Sequence, residues 1–349
     1  MSIRIGHHQV GVDHAPFIIA EMSGNHNGSL DRALEIVDAI AASGAQALKL
    51  QTYTADTMTL NLAEREFRID DAKSLWNGRT LYDLYHEAHT PWDWHAPIFE
   101  RARKKGLLAF STPFDATAVD FLQDLDVPCF KIASFENVDL PLIRKVAATG
   151  KPIIISTGLA NLTEIGEAVS AARDAGCREL VLLKCTSSYP ASPAESHLRT
   201  IPHLRDAFGV EVGLSDHTLG VGAAIAAVAL GACVIEKHVT LDRHDGGVDS
   251  AFSLEPQELK LLVEETERAR QCLGVVHYGP SERERASLQF RRTLYVAKNV
   301  KAGELFTAEN VRAIRPGYGL LPKHTEAVIG RRASRDIERG TPMTWELLA

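Results

Sequence analysis

The chain has 349 residues, 45% of them hydrophobic and 24% charged, enough apolar material for one large core plus a smaller one and too much for disorder, collagen-like repeats or a disulfide scaffold. A formal net charge of −7 excludes a general binder of nucleic acid or anionic membrane and requires any positive chemistry to be concentrated in one place. The cysteines are scattered without a C-x-x-C pair, the N-terminus has no apolar run of signal-peptide length, and the longest apolar stretch, Val221 to Ile235, is broken by Gly222 and Gly231, so a reduced, cytoplasmic chain outside the membrane is expected.

In chain order, apolar runs without polar alternation recur at Pro16–Glu21, Ala47–Tyr53, Leu107–Pro113 and Cys129–Ser134, then at Pro152–Thr157, Leu180–Thr186, Val210–Asp216 and Ala232–Val239. Runs of this kind are what strands of a parallel sheet, buried on both faces, look like. Between the first two, Ser29 is placed to cap a helix whose Leu30, Ala33, Leu34, Val37, Ile40 and Ala41 share one face, and Gly44 is placed to end it. Further helices are predicted near Ala116–Leu125, Asp139–Ala148, Thr163–Ala175, Glu195–Ala207, Leu219–Leu230 and Gln257–Leu273. Eight such units, with no G-x-G-x-x-G after the first strand, predict a (β/α)8 TIM barrel over residues 1–280 rather than a doubly wound open sheet.

Residues Thr54 to His95 interrupt the alternation with charged and aromatic residues and read as a lid over the barrel mouth. After about Gly279 the texture changes. VAKNVKAGELFTAENV is echoed by ASRDIERGTPMTWELL, each with an apolar start, a K/R-x-G-x-x-hydroxyl turn and an apolar close. Residues 281–349 are therefore predicted to form a second, turn-rich, mostly β domain.

In such a barrel the chemistry sits at the carboxyl ends of the strands, and nearly every run here closes on polar residues. Lys49 and Lys131 lie inside apolar strands, where an unpaired ammonium is costly. Each needs a counter-charge, either an internal glutamate such as Glu136 or Glu236, or a bound phosphate or carboxylate near Ser134, Ser156, Ser187 and Ser215. Glu21 closes the first run and suits acid–base work or a partnership with Lys49. His217 and His238, at the ends of the last two runs, would meet across neighbouring strands. They are either an open divalent-metal site of the Mn²⁺ or Mg²⁺ kind, or one working histidine and one incidental one. Asp249 and Phe252, in the last loop, are placed to touch a substrate.

The motifs AEMSGNHNGSLDRA, ALKLQTYTADTMT, FSTPFD, FKIASFE, ISTGLA, SSYP, GLSDHTLG and IEKHVTLDR together resemble the sialic acid synthase family across nearly the whole chain, and the tail with its IRPGYG loop resembles that family's antifreeze-like SAF domain. LWNGRTLYDLYHEAHTPWDWH, SSYP and RRTLYVAK resemble its pseudaminate-forming branch. The resemblance implies condensation of phosphoenolpyruvate with an N-acyl amino sugar, for that branch a 2,4-diacetamido-2,4,6-trideoxy-altrose, to give a nine-carbon 2-keto acid and phosphate. It implies that Lys49, Lys131, Ser134, Ser156, Ser187 and Ser215 hold phosphoenolpyruvate beside Gln51 and Thr112, and that His217 and His238 hold the metal. Glu21, Glu136, Tyr189, Asp249 and Phe252 fall where the family handles sugar and water. Arg315 matches an arginine reaching into the mouth of a second subunit, which implies a domain-swapped homodimer. Ser187 departs from the Asn common in sialic acid synthases. The rival readings are N-acetylneuraminate or legionaminate synthase, a metal-dependent aldolase, and a sugar-binding regulatory protein with a degenerate barrel.

Overall fold

The computed structural model describes residues 2–72 and 74–349, as two compact units that divide after Gly274. The first is a closed, all-parallel barrel of eight strands: β3 (Phe17–Glu21), β4 (Ala47–Thr52), β5 (Leu108–Pro113), β6 (Phe130–Ile132), β7 (Ile153–Ser156), β8 (Leu180–Cys185), β9 (Glu211–Asp216) and β10 (Val234–His238). Each strand pairs with its neighbours in sequence, and β10 closes on β3. Every residue of β3, β7 and β9 is buried, which is why these runs lack a polar alternation. A preceding hairpin, β1 (Ile3–Ile5) and β2 (His8–Val10), was not foreseen. It closes the amino end of the barrel: Ile3, Ile5 and Val10 join the core, Arg4 N–H donates to Glu179 at 3.0 Å, and Gly6 turns against Leu108.

The first crossover helix, Leu30–Ser43, begins and ends as its sequence requires. Ser29 Oγ accepts from Arg32 N–H at 3.3 Å, and Gly44 takes a left-handed φ of 86° that a side chain would resist. Two expectations need correction in their bounds. The segment expected as a lid over 54–95, which carries short helices at Ala55–Met58 and Leu81–Ala88, ends before Trp92, where Trp92–Lys104, the outer-layer helix between β4 and β5, begins. Pro97 within that helix, among aromatic residues, disguises it. The helix expected from Glu195 starts at Thr200, because Pro193–Glu195 forms a separate 3₁₀ turn and His197 adopts φ 44°. All five cysteines are free, and among the described residues no helix is long and apolar enough to cross a membrane.

The second unit, Val275–Ala349, has its own core of Leu294, Val296, Val300, Phe306, Val311, Val328, Ile337, Met343 and Leu347. Its one regular sheet pairs β11 (Thr293–Val296) with β12 (Val311–Ile314). The two echoed phrases pack as a local twofold. Val300 and Ile337, equivalent positions 37 residues apart in the sequence, exchange both backbone hydrogen bonds at 2.9 and 2.8 Å. Gly303 N–H to Ala333 O is matched by Gly340 N–H to Val296 O, and both glycines have φ near the left-handed region, 79° and 89°.

Candidate active site

The strand register builds the floor of the mouth. Glu21 of β3 stands opposite Lys49 of β4 on one side and His238 of β10 on the other, and Ser215 of β9 stands opposite Glu236 of β10. Lys49 pairs with Glu21 and lies 3.7 Å from Glu236, while Lys131 lies 3.3 Å from the same Glu236 oxygen. All four side chains are buried. The lysines therefore have internal counter-charges, and these are Glu21 and Glu236, not Glu136. Burial works against the Lys49 ammonium, but the two carboxylates outweigh it and hold its pKa above the usual range. For Lys131 burial prevails over Glu236 and depresses the pKa. Ser215 Oγ donates to Glu236 at 3.2 Å, Lys49 donates to Thr112 Oγ1 at 3.3 Å, and Glu21 accepts from Ser23 N–H at 2.9 Å. Glu236 keeps one buried oxygen without a hydrogen-bond partner.

Beside this floor is a cradle of hydroxyls around Gly158, a residue the sequence reading passed over. A Cβ on Gly158 would lie 2.2 Å from Ser187 Oγ and 2.7 Å from Ser134 Oγ, so only glycine leaves both hydroxyls in place. Gly158 N–H donates to Ser134 Oγ at 3.1 Å, and Asn137 Nδ2 fixes the loop through the Ser156 and Gly158 carbonyls. Ser156 Oγ is buried with no partner. Buried donors without partners are uncommon unless a ligand or water meets them.

The two imidazoles stand with ring centroids 5.4 Å apart, and Phe252, itself buried, packs its ring at 6.1 Å from His217 and 5.0 Å from His238. His217 Nδ1 meets the Thr186 carbonyl at 3.0 Å and so acts as the donor, leaving the Nε2 lone pair free. Burial opposes charge on His217, but Cys185 Sγ at 3.9 Å and that carbonyl outweigh it and raise the pKa. Burial keeps His238 neutral, with like charges adding to the effect, and its Nδ1 is a buried atom with no hydrogen-bond partner, 3.7 Å from Asp249. Asp249 in turn accepts from Ser23 Oγ. A neutral, unpartnered imidazole nitrogen beside a second imidazole and a carboxylate fits a divalent cation. A separate group able to hold a cation, Asp242, His244 and Glu255, lies after β10 among mostly exposed residues.

Above the strand ends is a cavity of about 310 Å³, in the range of small-molecule sites. Gln51, Glu136, Tyr189, His238 and Asp249 line it. The Tyr189 ring packs tilted against its neighbours, with its centroid 4.5 Å from His217 and 5.9 Å from Trp76. Burial pushes the Glu136 carboxyl up to about 7, and one of its oxygens has no partner. The 54–95 segment supplies much of the remaining wall, including Met58, Ile69, Leu81 and Leu84, and Trp76 Nε1 ties it to the Val248 carbonyl at 3.0 Å. Sequence reasoning named none of these apolar residues, because helical and loop texture in an insertion does not reveal which side faces a ligand. Arg315 lies exposed at the end of β12 in the second unit and makes no hydrogen bond or ion pair among the described residues.

A closed barrel whose strand ends gather paired lysines, glutamates, hydroxyls and two imidazoles has the layout of a (β/α)8 barrel enzyme, and the NeuB family matches residues 36–278, followed by a SAF domain over residues 291–349. The chain belongs to the NeuB family. It is similar to the pseudaminic acid synthase of Campylobacter jejuni, 44% identical over 94% of this chain and 95% of that protein. The N,N'-diacetyllegionaminic acid synthase of the same species is 37% identical over 91% of this chain and 96% of that protein. Among solved structures, an N-acetylneuraminic acid synthetase of Leptospira borgpetersenii superposes with a TM-score of 0.74 at 34% identity, over 83% of this chain and 96% of that one.

Proposed function

We propose that the chain is a pseudaminic acid synthase. It condenses phosphoenolpyruvate with 2,4-diacetamido-2,4,6-trideoxy-altropyranose and water, giving a nine-carbon 2-keto sugar acid and phosphate by C–O cleavage. The observation that carries this reading is the identity of 44% to a pseudaminic acid synthase against 37% to a legionaminic acid synthase of the same species, each over nearly the whole chain.

The hydroxyls of Ser134, Ser156, Ser187 and Ser215, with Gly158 leaving them room, hold the phosphate and carboxylate of phosphoenolpyruvate against Lys49 and Lys131. Gln51 and Thr112 border that position. His217 and His238 hold a divalent metal, Mn²⁺ or Mg²⁺, which when bound supplies Lewis-acid polarisation of the sugar aldehyde. Because Glu21 and Glu236 already match both lysines, the mouth gains from the extra positive charge of such an ion. The methylene carbon of phosphoenolpyruvate bonds to the aldehyde carbon, whose C=O opens to an alkoxide that takes up a proton to become a hydroxyl, and positive charge develops at the enol carbon. Water adds there. Glu136, with a pKa near neutrality and a free oxygen, takes its proton. The tetrahedral adduct then releases phosphate. Glu21 is engaged with Lys49 and the Ser23 N–H, which favours Glu136 as the base and leaves Glu21 to orient the lysine.

Tyr189, Asp249 and Phe252 position sugar and imidazoles. Arg315 of one copy completes the mouth of a second in a domain-swapped homodimer, residues 281–349 acting as the cap. Exposed Phe135, Val138, Leu159 and Leu219 on the loops around the mouth support a covering partner. Leu159 is 72% exposed at φ 66°, an unfavourable backbone for leucine without a contact beyond its own chain. Phosphate release with the altro-configured sugar, N-acetylmannosamine and the legionaminate precursor tests the reading; preference for either of the last two refutes it. Sedimentation of an active monomer refutes the dimer.

A further inference from the structure

The two contributors to the cavity differ in where its polar groups come from. The barrel strands and their loops supply Ser23, Gln51, Glu136, Tyr189, His238 and Asp249, alongside the apolar Phe114, Ala133, Phe135 and Val248. From the 54–95 insertion come Met58, Ile69, Leu81, Leu84 and Ala88, with Trp76 and Tyr85. Among these insertion residues only Trp76 and Tyr85 carry a polar atom. The Trp76 Nε1 is already bonded to the Val248 carbonyl at 3.0 Å, and the Tyr85 ring stands against Tyr53 at 5.8 Å, next to the strand end of β4. The stretch formed by Ile69, Leu81 and Leu84 thus offers a ligand no donor or acceptor side chain.

A six-carbon substrate entering this cavity must present its aldehyde to the strand ends, where the imidazoles and Glu136 lie. The far end of its chain then rests on the insertion. We propose that Ile69, Leu81 and Leu84 form a specificity wall that accepts a sugar ending in a methyl group and disfavours one ending in hydroxymethyl. The inference rests on the proposed function and adds to it the residues that read the 6-deoxy end. Its physical basis is that a hydroxyl pressed onto this wall loses its water partners and finds no replacement. An apolar surface rejects an added hydroxyl only moderately, so the expected discrimination is about ten- to hundredfold in kcat/KM.

The test compares phosphate release by the full-length protein, with divalent metal, on the diacetamido trideoxy sugar and on its 6-hydroxy analogue of the same configuration. The native chain should favour the 6-deoxy sugar by about ten- to hundredfold. Ile69→Asn and Leu81→Asn, at half-buried positions, should narrow that ratio mainly through KM by supplying a partner for the hydroxyl. Equal use of both sugars by the native chain overturns the wall and leaves the pseudaminate reading standing. Turnover confined to hydroxymethyl sugars such as N-acetylmannosamine overturns both. An unchanged ratio in both folded variants removes Ile69 and Leu81 from the wall.

Discussion

The floor of the mouth and the wall above it are built by opposite means. The floor is made of charges carried on barrel strands, where backbone pairing with both neighbours fixes each side chain: Glu21 between Lys49 and His238, Glu236 beside Ser215. The wall is made of apolar side chains on an insertion of short helices and turns, tied down by few polar bonds, such as Trp76 to Val248. Rigid strands suit groups whose spacing decides whether chemistry occurs. A separately anchored insertion suits groups that decide which sugar is admitted, since it can vary without disturbing the barrel.

This contrast can be broken at several points. The largest effect is expected at the floor: Glu236→Gln leaves the buried Lys131 without its carboxylate, while Lys49 keeps Glu21, and should cost about 3–5 kcal/mol of stability, measured by denaturant unfolding. Glu136→Gln should leave stability intact but lower kcat about 10²–10⁴-fold. In the native protein, the rate should fall with an acid limb below about pH 7, because burial raises the Glu136 pKa to that value and the basic carboxylate is lost as pH drops through it. The limb should vanish in the variant; a limb that persists assigns it elsewhere. Gly158→Ala pushes on Ser187 and Ser134 and should weaken phosphoenolpyruvate binding about tenfold, roughly 1.4 kcal/mol, by calorimetry. The smallest effect belongs to the wall. Trp76→Phe, losing one neutral hydrogen bond, should cost about 1 kcal/mol, seen as faster amide exchange within 54–90 and a modest rise in sugar KM with global unfolding unchanged. If it instead unfolds the barrel, the two regions are not separable.

Much of the fold was legible because strands buried on both faces leave unbroken apolar runs, and all eight barrel strands fall within those runs. The hairpin at Ile3–Val10 was not, since two three-residue strands carry no period to detect. Trp92–Lys104 was hidden by Pro97, and the start of Thr200–Phe208 by a turn whose departure at His197 has no residue signature. At the site, the Glu21–Lys49 partnership was among the sequence readings and is present, but the sharing of Glu236 by both lysines could not be chosen over Glu136. The approach of Glu236 to Lys49 depends on barrel closure between β10 and β3, strands more than 200 residues apart in the sequence. Gly158 was missed for the same reason: what demands glycine there is the meeting of two serines from other loops.

Strands β9 and β10 also carry a second message on their alternate residues. Ser215, Glu236, His217 and His238 serve the mouth, while Asp216 and Lys237, between them, form a buried pair at 2.7 Å, with Glu258 of the outer helix Pro256–Leu273 acting on Lys237 from that side. Sliding one strand by a single place would exchange the two sets, driving the ammonium into the mouth and an imidazole into the helix layer. The Asp216–Lys237 pair therefore works as a parity check. It penalises the one misalignment that would scramble the reactive groups, and it does so from the face of the sheet that no substrate touches.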